Sequence, residues 1–316
     1  MTTTTAPAAP AATVKQRPGD RWFSGTALAA GSMILVTLAA VAIFLIVQSV
    51  PGLTATSETA SILSGNFWEY VWPLAFGTVW ASFLALLMAV PLAVAVALFI
   101  SHYAPRRLAQ SLGYVVDLLA AVPSVVFGLW GIIVLAPAVQ PVYEWLNANM
   151  GWFPLFAGTV SQTGRTIFTA AIVLAVMVVP IITAICREIF LQTPVLHEEA
   201  ALALGATRWE MVRMAVFPFG RSGIVSASML GLGRALGETM AVAMVLSASG
   251  IITFQLFTAE NPNTIPANIA LSFPEAFGRN INVLIATGLI LFIVTFAVNA
   301  IARWIVSRRK EFSGAN

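Results

Sequence analysis

Charge is what this sequence has least of. Charged residues make up 9% of the chain against 59% hydrophobic, and mean hydropathy is +0.89. A water-soluble domain carries about 25% charged residues, so this chain lacks the side chains to cover a water-facing surface. It must expose apolar side chains to lipid. Cysteine is nearly absent too: Cys186 stands alone near the end of an apolar run, which excludes an internal disulfide framework. With two histidines and one cysteine, a His/Cys metal site has almost no material, and neither metal nor cofactor is expected. His197-Glu198 is not followed by a second histidine at the metalloprotease spacing. Lysine occurs only as Lys15 and Lys310, at the two ends, so no Gly-x-x-x-x-Gly-Lys-Ser/Thr loop exists to cradle a nucleotide phosphate. Gly231, Gly233 and Gly237 have the wrong spacing for a dinucleotide fingerprint, and no strand precedes them. No catalytic residue is expected, and a membrane-embedded enzyme is disfavoured.

What the sequence does have is long apolar runs. A membrane span needs about 20 mainly apolar residues, and six stretches qualify: 27–49, 73–100, 113–137, 167–190, 222–250 and 281–306. Pro91, Pro123 and Pro180 fall inside the second, third and fourth, as plausible kink points whose freed carbonyls neighbouring groups re-satisfy. Residues 1–25 are rich in Thr, Ala and Pro and read as a disordered cytoplasmic tail. The first apolar run reads as a retained helix rather than a cleaved signal peptide. Residues 26–310 read as the membrane domain, with a loop at 191–221, and 311–316 as a second, cytoplasmic tail. The expectation is an all-α membrane protein with six transmembrane helices.

Arginine and lysine set the orientation. Lys15, Arg17, Arg21, Arg106, Arg107, Arg187, Arg208, Arg213, Arg221, Arg303, Arg308, Arg309 and Lys310 fall on one side, against Arg165 and Arg279 on the other. Both termini are therefore expected in the cytoplasm. The sequence pI of about 9.4 is a topology signal with some contact to anionic lipid, and no nucleic-acid partner is expected. Trp68, Trp72, Trp145 and Trp152 in the outer loops suit the membrane interface, or a share in docking an outer partner.

Between the fourth and fifth runs lies HEEAALALGATRWEMVRMAVFPFGRSG. Leu196, Ala200, Ala203 and Leu204 recur at helical spacing, Gly205 provides a break, and Pro218 marks entry to the next span. The pattern predicts two short helices at an angle. A projecting amphipathic helix suits a groove on another protein; one lying on the lipid headgroups is the alternative, and composition leaves both open.

In this loop the sequence resembles the permease family of ABC importers. Their signature is Glu-Ala-Ala, three residues, Gly, nine residues, then Ile-x-Leu-Pro. Glu199-Ala200-Ala201, Gly205 and Pro218 hold that register, with Ala215 at the Ile position and Phe217 at the Leu position. The resemblance implies a type I (MetI-like) permease fold and a coupling helix seated in a cleft of a cytoplasmic ATPase dimer.

The fifth run carries Arg234 and Glu238. Each charge costs about 2.5–3.5 kcal/mol at mid-membrane on insertion scales, and their i,i+4 spacing predicts one face and mutual neutralisation. Such a pair either locks packing or serves an anion, since arginine matches phosphate-type oxyanions bidentately. A protonated oxyanion can donate to a carboxylate and sulfate cannot, which favours phosphate on physical grounds. Gly233 and Gly237 have the small-xxx-small spacing of close helix contact.

The run Gly233-Arg234-Ala235-Leu236-Gly237-Glu238-Thr239-Met240-Ala241-Val242 is similar to phosphate-specific importer permeases of the PstC type, as is Leu119-Ala120-Ala121-Val122-Pro123-Ser124 with Phe127-Gly128. That resemblance implies phosphate passage at Arg234 and Glu238 and a homologous PstA-type permease partner. It also implies delivery by an extracytoplasmic phosphate-binding protein. Thr239 adds a hydroxyl to the pathway. Ser124 presents a hydroxyl to the anion or packs, and Asp117 hydrogen-bonds structurally or gates. A permease for sulfate, molybdate or phosphonate is the first alternative, and a passive channel or secondary carrier the second.

Overall fold

The computed structural model describes residues 18–310. The tail expected at 311–316 and residues 1–17 of the other lie outside the described residues, and residues 18–25 are already helical. The chain divides into two compact units, one ending at Val47 and one beginning at Gln48. In the first, helix α1 (Pro18–Leu53, continuing into the second unit) leaves Leu35, Val36, Leu38 and Phe44 exposed, as a lipid-facing span requires.

The second unit is built around α6 (Ile167–Leu191), the most buried of the spans. Its β-branched and aliphatic run is apolar all round, so it takes neighbours on every side. Helix α2 (Phe67–Leu98) packs along it, and α3 (Arg106–Ala120) and α9 (Phe217–Leu236) flank it. Lipid supplies little hydrophobic drive between helices, so small residues that permit close approach carry the contact. Ala81, Ala85, Ala89, Ala93 and Ala97 recur every four residues along α2, all fully buried, and Thr183 of α6 donates to the Ala93 carbonyl at 3.3 Å. A bulkier residue at Ala89 would cost about 1–3 kcal/mol by overpacking. Pro91 and Pro180 lie inside α2 and α6, which continue through them.

Among the described residues six helices are long and apolar enough to span a membrane: Trp22–Leu53, Phe67–Tyr103, Ser124–Met150, Ile167–Leu191, Arg208–Leu236 and Arg279–Trp304. All six overlap the expected runs, four of them closely, while the third and fifth are shifted along the chain. The third begins at Ser124 because Pro123 separates α3 from the helical run of α4 (Ser124–Trp130), a π turn (Gly131–Leu135) and α5 (Ala136–Met150). Proline excludes its predecessor from helical geometry and lacks the N–H that would continue the ladder. The detached α3 is amphipathic, with Arg106, Arg107, Gln110 and Asp117 interleaved with Leu112 and Val116.

The fifth span starts fourteen residues earlier than expected and ends at Leu236, not residue 250. The two short helices expected in the loop become α7 (Val195–Ala203) and α8 (Arg208–Met211), but α8 runs on through a π turn (Val212–Val216) into α9. Pro218 therefore sits inside a continuous helix. The π turn, closed by the Phe217 N–H on the Val212 carbonyl, re-registers the ladder just before the residue that has no donor.

At the end away from α7, the segment after α10 (Met240–Val245) folds back in extended form to α11 (Ile265–Ser272). The Ile265 N–H donates to Thr78 of α2 at 2.9 Å, and Asn268 donates to the Tyr70 hydroxyl at 2.6 Å. Tyr143, Phe257 and Phe156 stack there with centroids 4.4 and 5.1 Å apart. Trp68, Trp72, Trp145 and Trp152 are all exposed. The last span is α12 (Arg279–Lys310). Among the described residues β pairing is limited to isolated bridges, so the fold is all-α.

Candidate functional site

Two helix breaks in the second unit lead into a pair of packed helices. The first is Ala121-Val122-Pro123, between α3 and α4. The second is Gly237-Glu238-Thr239, between α9 and α10. Helices α4 and α10 pack directly: a Cβ on Gly128 would meet the Ala241 Cα at 2.9 Å and the Met244 sulfur at 3.1 Å. One turn on, a Cβ on Gly131 would meet Val245 and Val173 at 2.8 and 2.7 Å. The two helices run side by side in the same direction, so Ser124 and Thr239 begin them at neighbouring positions.

The expected Arg234–Glu238 ion pair does not form. No N–O contact within 4.0 Å joins them, and the helix ends at Leu236, so the i,i+4 geometry is interrupted between them. Gly237, whose backbone freedom disfavours a helical interior, caps the helix with its N–H on the Gly233 carbonyl at 3.2 Å. The Glu238 carboxylate turns to the next one and accepts from the Ala241 N–H at 3.1 Å. It is 9% exposed. It satisfies one of the orphan donors of α10. The α10 C-terminus is closed by Arg165, which donates to the Met244 and Leu246 carbonyls at 3.1 and 3.4 Å. Arg165 reads in the sequence only as an outer-side charge.

Arg234 is left exposed in the last turn of α9. Around it the helix is stripped: a Cβ on Gly233 would meet nothing within 4 Å, and one on Gly237 only the Gly233 carbonyl at 3.5 Å. The Thr239 hydroxyl donates to the Gly237 carbonyl at 3.2 Å and is half-buried. Apolar Val125, Val126, Leu129 and Met240 remain exposed on the same two helices. Arg234 and Thr239 thus lie on either side of the second break and Ser124 follows the first, with Glu238 capping the helix after the second.

Asp117 is not part of that group. It lies two turns earlier on α3, with its Oδ2 3.8 Å from Nη2 of Arg187 near the end of α6. His102, in the π turn Phe99–Tyr103 that ends the second span, reaches Glu198 of α7 at 3.3 Å. Its other ring nitrogen lies 2.7 Å from the Ser101 hydroxyl. Neither contact is legible from spacing, since the partners stand 70 and 96 residues apart; the one available signal is a polar group placed inside or at the end of an apolar run.

The α7 element projects. None of its residues is buried, and Leu196 and Leu204 are 75% and 90% exposed. Glu199 and Ala200 are exposed, while Ala201 is half-buried and leans on the core. Gly205 has φ +86°, a left-handed geometry that costs other residues about 1–2 kcal/mol. It ends α7, and Thr207 opens α8 with a capping box to Glu210. Behind the loop, Phe217 packs edge-on against Phe190 and Trp209. A Cβ on Gly220 would strike the Phe190 ring at 2.9 Å, so α9 is held tightly on the end of α6.

A bundle of six candidate spans among the described residues, with an exposed helix between the fourth and fifth, defines a multi-span membrane protein. The chain belongs to the family described as "Binding-protein-dependent transport system inner membrane component", matched over residues 89–311. It is a multi-pass protein of the bacterial inner membrane. It is 50% identical over 299 residues to "Phosphate transport system permease protein PstC 2" of Mycobacterium tuberculosis, with 91% of each chain covered. To "Phosphate transport system permease protein PstC" of Mycobacterium leprae it is 46% identical over 304 residues, covering 92% and 94%. Among solved structures, a bacterial ABC transporter involved in the import of the acidic polysaccharide alginate superposes with a TM-score of 0.62. At 16% identity over 92% of this chain and 96% of that one, it shares the fold alone, and the fold is that of the ABC importer permeases.

Proposed function

We propose that this chain is one transmembrane subunit of an ATP-driven inorganic phosphate importer. The observation that carries the reading is Arg234, an arginine left without a carboxylate partner on a glycine-cleared face at the end of a broken span, in a chain half identical to a phosphate transport permease. A guanidinium offers a planar fork to a phosphate oxyanion. Thr239 and Ser124, at the starts of α10 and α4, supply further hydroxyls to the pathway. Glu238 acts through the backbone: it holds the break open by capping α10, and the substrate meets an arginine that Glu238 does not neutralise. The exposed apolar surface of α4 and α10 takes the homologous PstA-type permease, so that the pathway runs between two subunits.

Coupling follows from the chain's connectivity. The α7 helix, with Glu199, Ala200 and Ala201, docks in the cytoplasmic ATPase dimer. Gly205 sets the turn, and the helix holding Pro218 leads without interruption to Arg234. A push on α7 therefore reaches the pathway along one rigid element. Both termini lie in the cytoplasm on this reading, as the arginine asymmetry requires, and an extracytoplasmic phosphate-binding protein loads the opposite face. Phosphate crosses without covalent chemistry. Uptake of labelled phosphate by the reconstituted transporter is expected to need internal ATP and to stop with vanadate. Uptake that persists without any ATPase would make the protein a passive channel or a secondary carrier.

A further inference from the structure

A cavity of about 510 Å³ opens at the ends of α2, α3 and α6, beside the α7 loop and apart from the two helix breaks. Arg106, Arg187, Gln110, Tyr114, Ser101 and Asp117 provide its polar lining. Arg187 is the group to explain. Its side chain is 21% exposed, and its Nε is buried with no hydrogen-bond partner. Its nearest carboxylate, Asp117, stands at 3.8 Å, beyond hydrogen-bond length, and is itself half in solvent. Helix α3 is cut away for the guanidinium: a Cβ on Gly113 would occupy the position of Nη1. An arginine carries five donors, and a buried donor left unmet is costly.

The rest of the lining is arranged for an anion. The Gln110 amide donates to the Tyr114 hydroxyl at 3.3 Å, which leaves the tyrosine proton free to donate in turn. Arg106 adds a second positive charge, so the walls carry two cations against one carboxylate. The volume falls within the range of ligand sites, about 300–1,000 Å³, and exceeds what a bare phosphate fills.

We propose that this cavity binds a phosphate group through Arg187, with Arg106 and Tyr114 as further donors, the group being either free inorganic phosphate or the headgroup phosphate of an anionic lipid. Asp117 acts as the competing anion that a bound phosphate displaces from Arg187. This site stands independently of the passage of phosphate at Arg234.

The test uses the purified full chain in nanodiscs, in the Arg234→Gln background so that the helix-break site contributes nothing. Binding of labelled inorganic phosphate is measured in phosphatidylcholine discs, and retained phosphatidylglycerol is measured by native mass spectrometry in mixed discs. Arg187→Gln is expected to weaken binding by about 10- to 100-fold. Asp117→Asn, which removes the competing charge and keeps the shape, is expected to tighten it by about two- to fivefold. Phosphate binding in phosphatidylcholine discs identifies the free anion, and phosphatidylglycerol retention that phosphate does not displace identifies the lipid. If Arg187→Gln fails to fold, the opposite shift in Asp117→Asn still decides. Failure to bind either probe, or equal weakening by both substitutions, would make the pair a structural contact and overturn the proposal.

Discussion

Two arginines, Arg234 at the helix break and Arg187 at the α7 end, divide the polar chemistry of this membrane protein between them. Arg234 has a glutamate four residues on and does not pair with it. Arg187 has an aspartate 70 residues away and stands 3.8 Å from it. Sequence proximity decides neither case. At the break, Gly237 releases the chain from the helix and the glutamate meets a backbone donor, so the carboxylate serves local structure and the cation faces outward. At the α7 end, α3 is an intact helix docked on α6, and its rigidity fixes the aspartate close to the arginine without closing the contact. A glycine-weakened element leaves a charge unpaired, while a continuous one brings two charges close.

The largest expected effect tests the first half of that contrast. Arg234→Ala should lower phosphate uptake by about 10- to 100-fold, the value of a charge-assisted hydrogen bond to substrate. Arg234→Lys should restore little, because a point charge does not replace the fork. Uptake by the lysine variant at wild-type rates would reduce the role to charge alone.

Next comes the turn that ends α7. Gly205→Ala places a Cβ at φ +86° and should cost about 1–2 kcal/mol locally, read as a loss of ATPase stimulation by substrate in the assembled transporter. Leu204→Asp, at a side chain 90% exposed, should uncouple equally while leaving the thermal midpoint unchanged. Normal coupling in both variants would remove α7 from the drive path.

Glu238 separates the cap from the ion pair. Glu238→Ala should destabilise by about 1 kcal/mol through the lost cap. Glu238→Gln keeps the acceptor oxygen for the Ala241 N–H and should retain uptake within about twofold. If glutamine proves as damaging as alanine, the negative charge itself matters and the cap account fails. The smallest effect belongs to Glu198→Gln. Its contact with His102 at 3.3 Å, between largely buried side chains, is a single hydrogen bond that the amide oxygen can keep in part, so the loss is expected to be about 1 kcal/mol or less, measurable as a small drop in thermal midpoint.

The spans were legible because composition and run length decide them: α1, α2, α6 and α12 fall where the apolar stretches lie. The third and fifth were misplaced for a common reason. Hydropathy averages over a window and passes through Pro123 and Gly237, whereas the backbone stops at them. Pro218 erred in the opposite direction, since a proline reads as a boundary and a π turn carries the helix across it. The α7 helix and its end at Gly205 were legible in a short segment where helical spacing and a glycine break coincide. The contacts of Arg187 with Asp117, Glu198 with His102, and Arg165 with the end of α10 depend on helix–helix docking, which no local pattern encodes.

The account rests most heavily on an unpaired arginine selecting a protonatable oxyanion, and competition measures that directly. Labelled phosphate uptake into vesicles holding the complete transporter and internal ATP is followed with excess unlabelled phosphate or excess sulfate outside. The account predicts that phosphate abolishes the signal and sulfate leaves it within about twofold. Equal competition by sulfate would contradict it and make this chain a permease for another oxyanion.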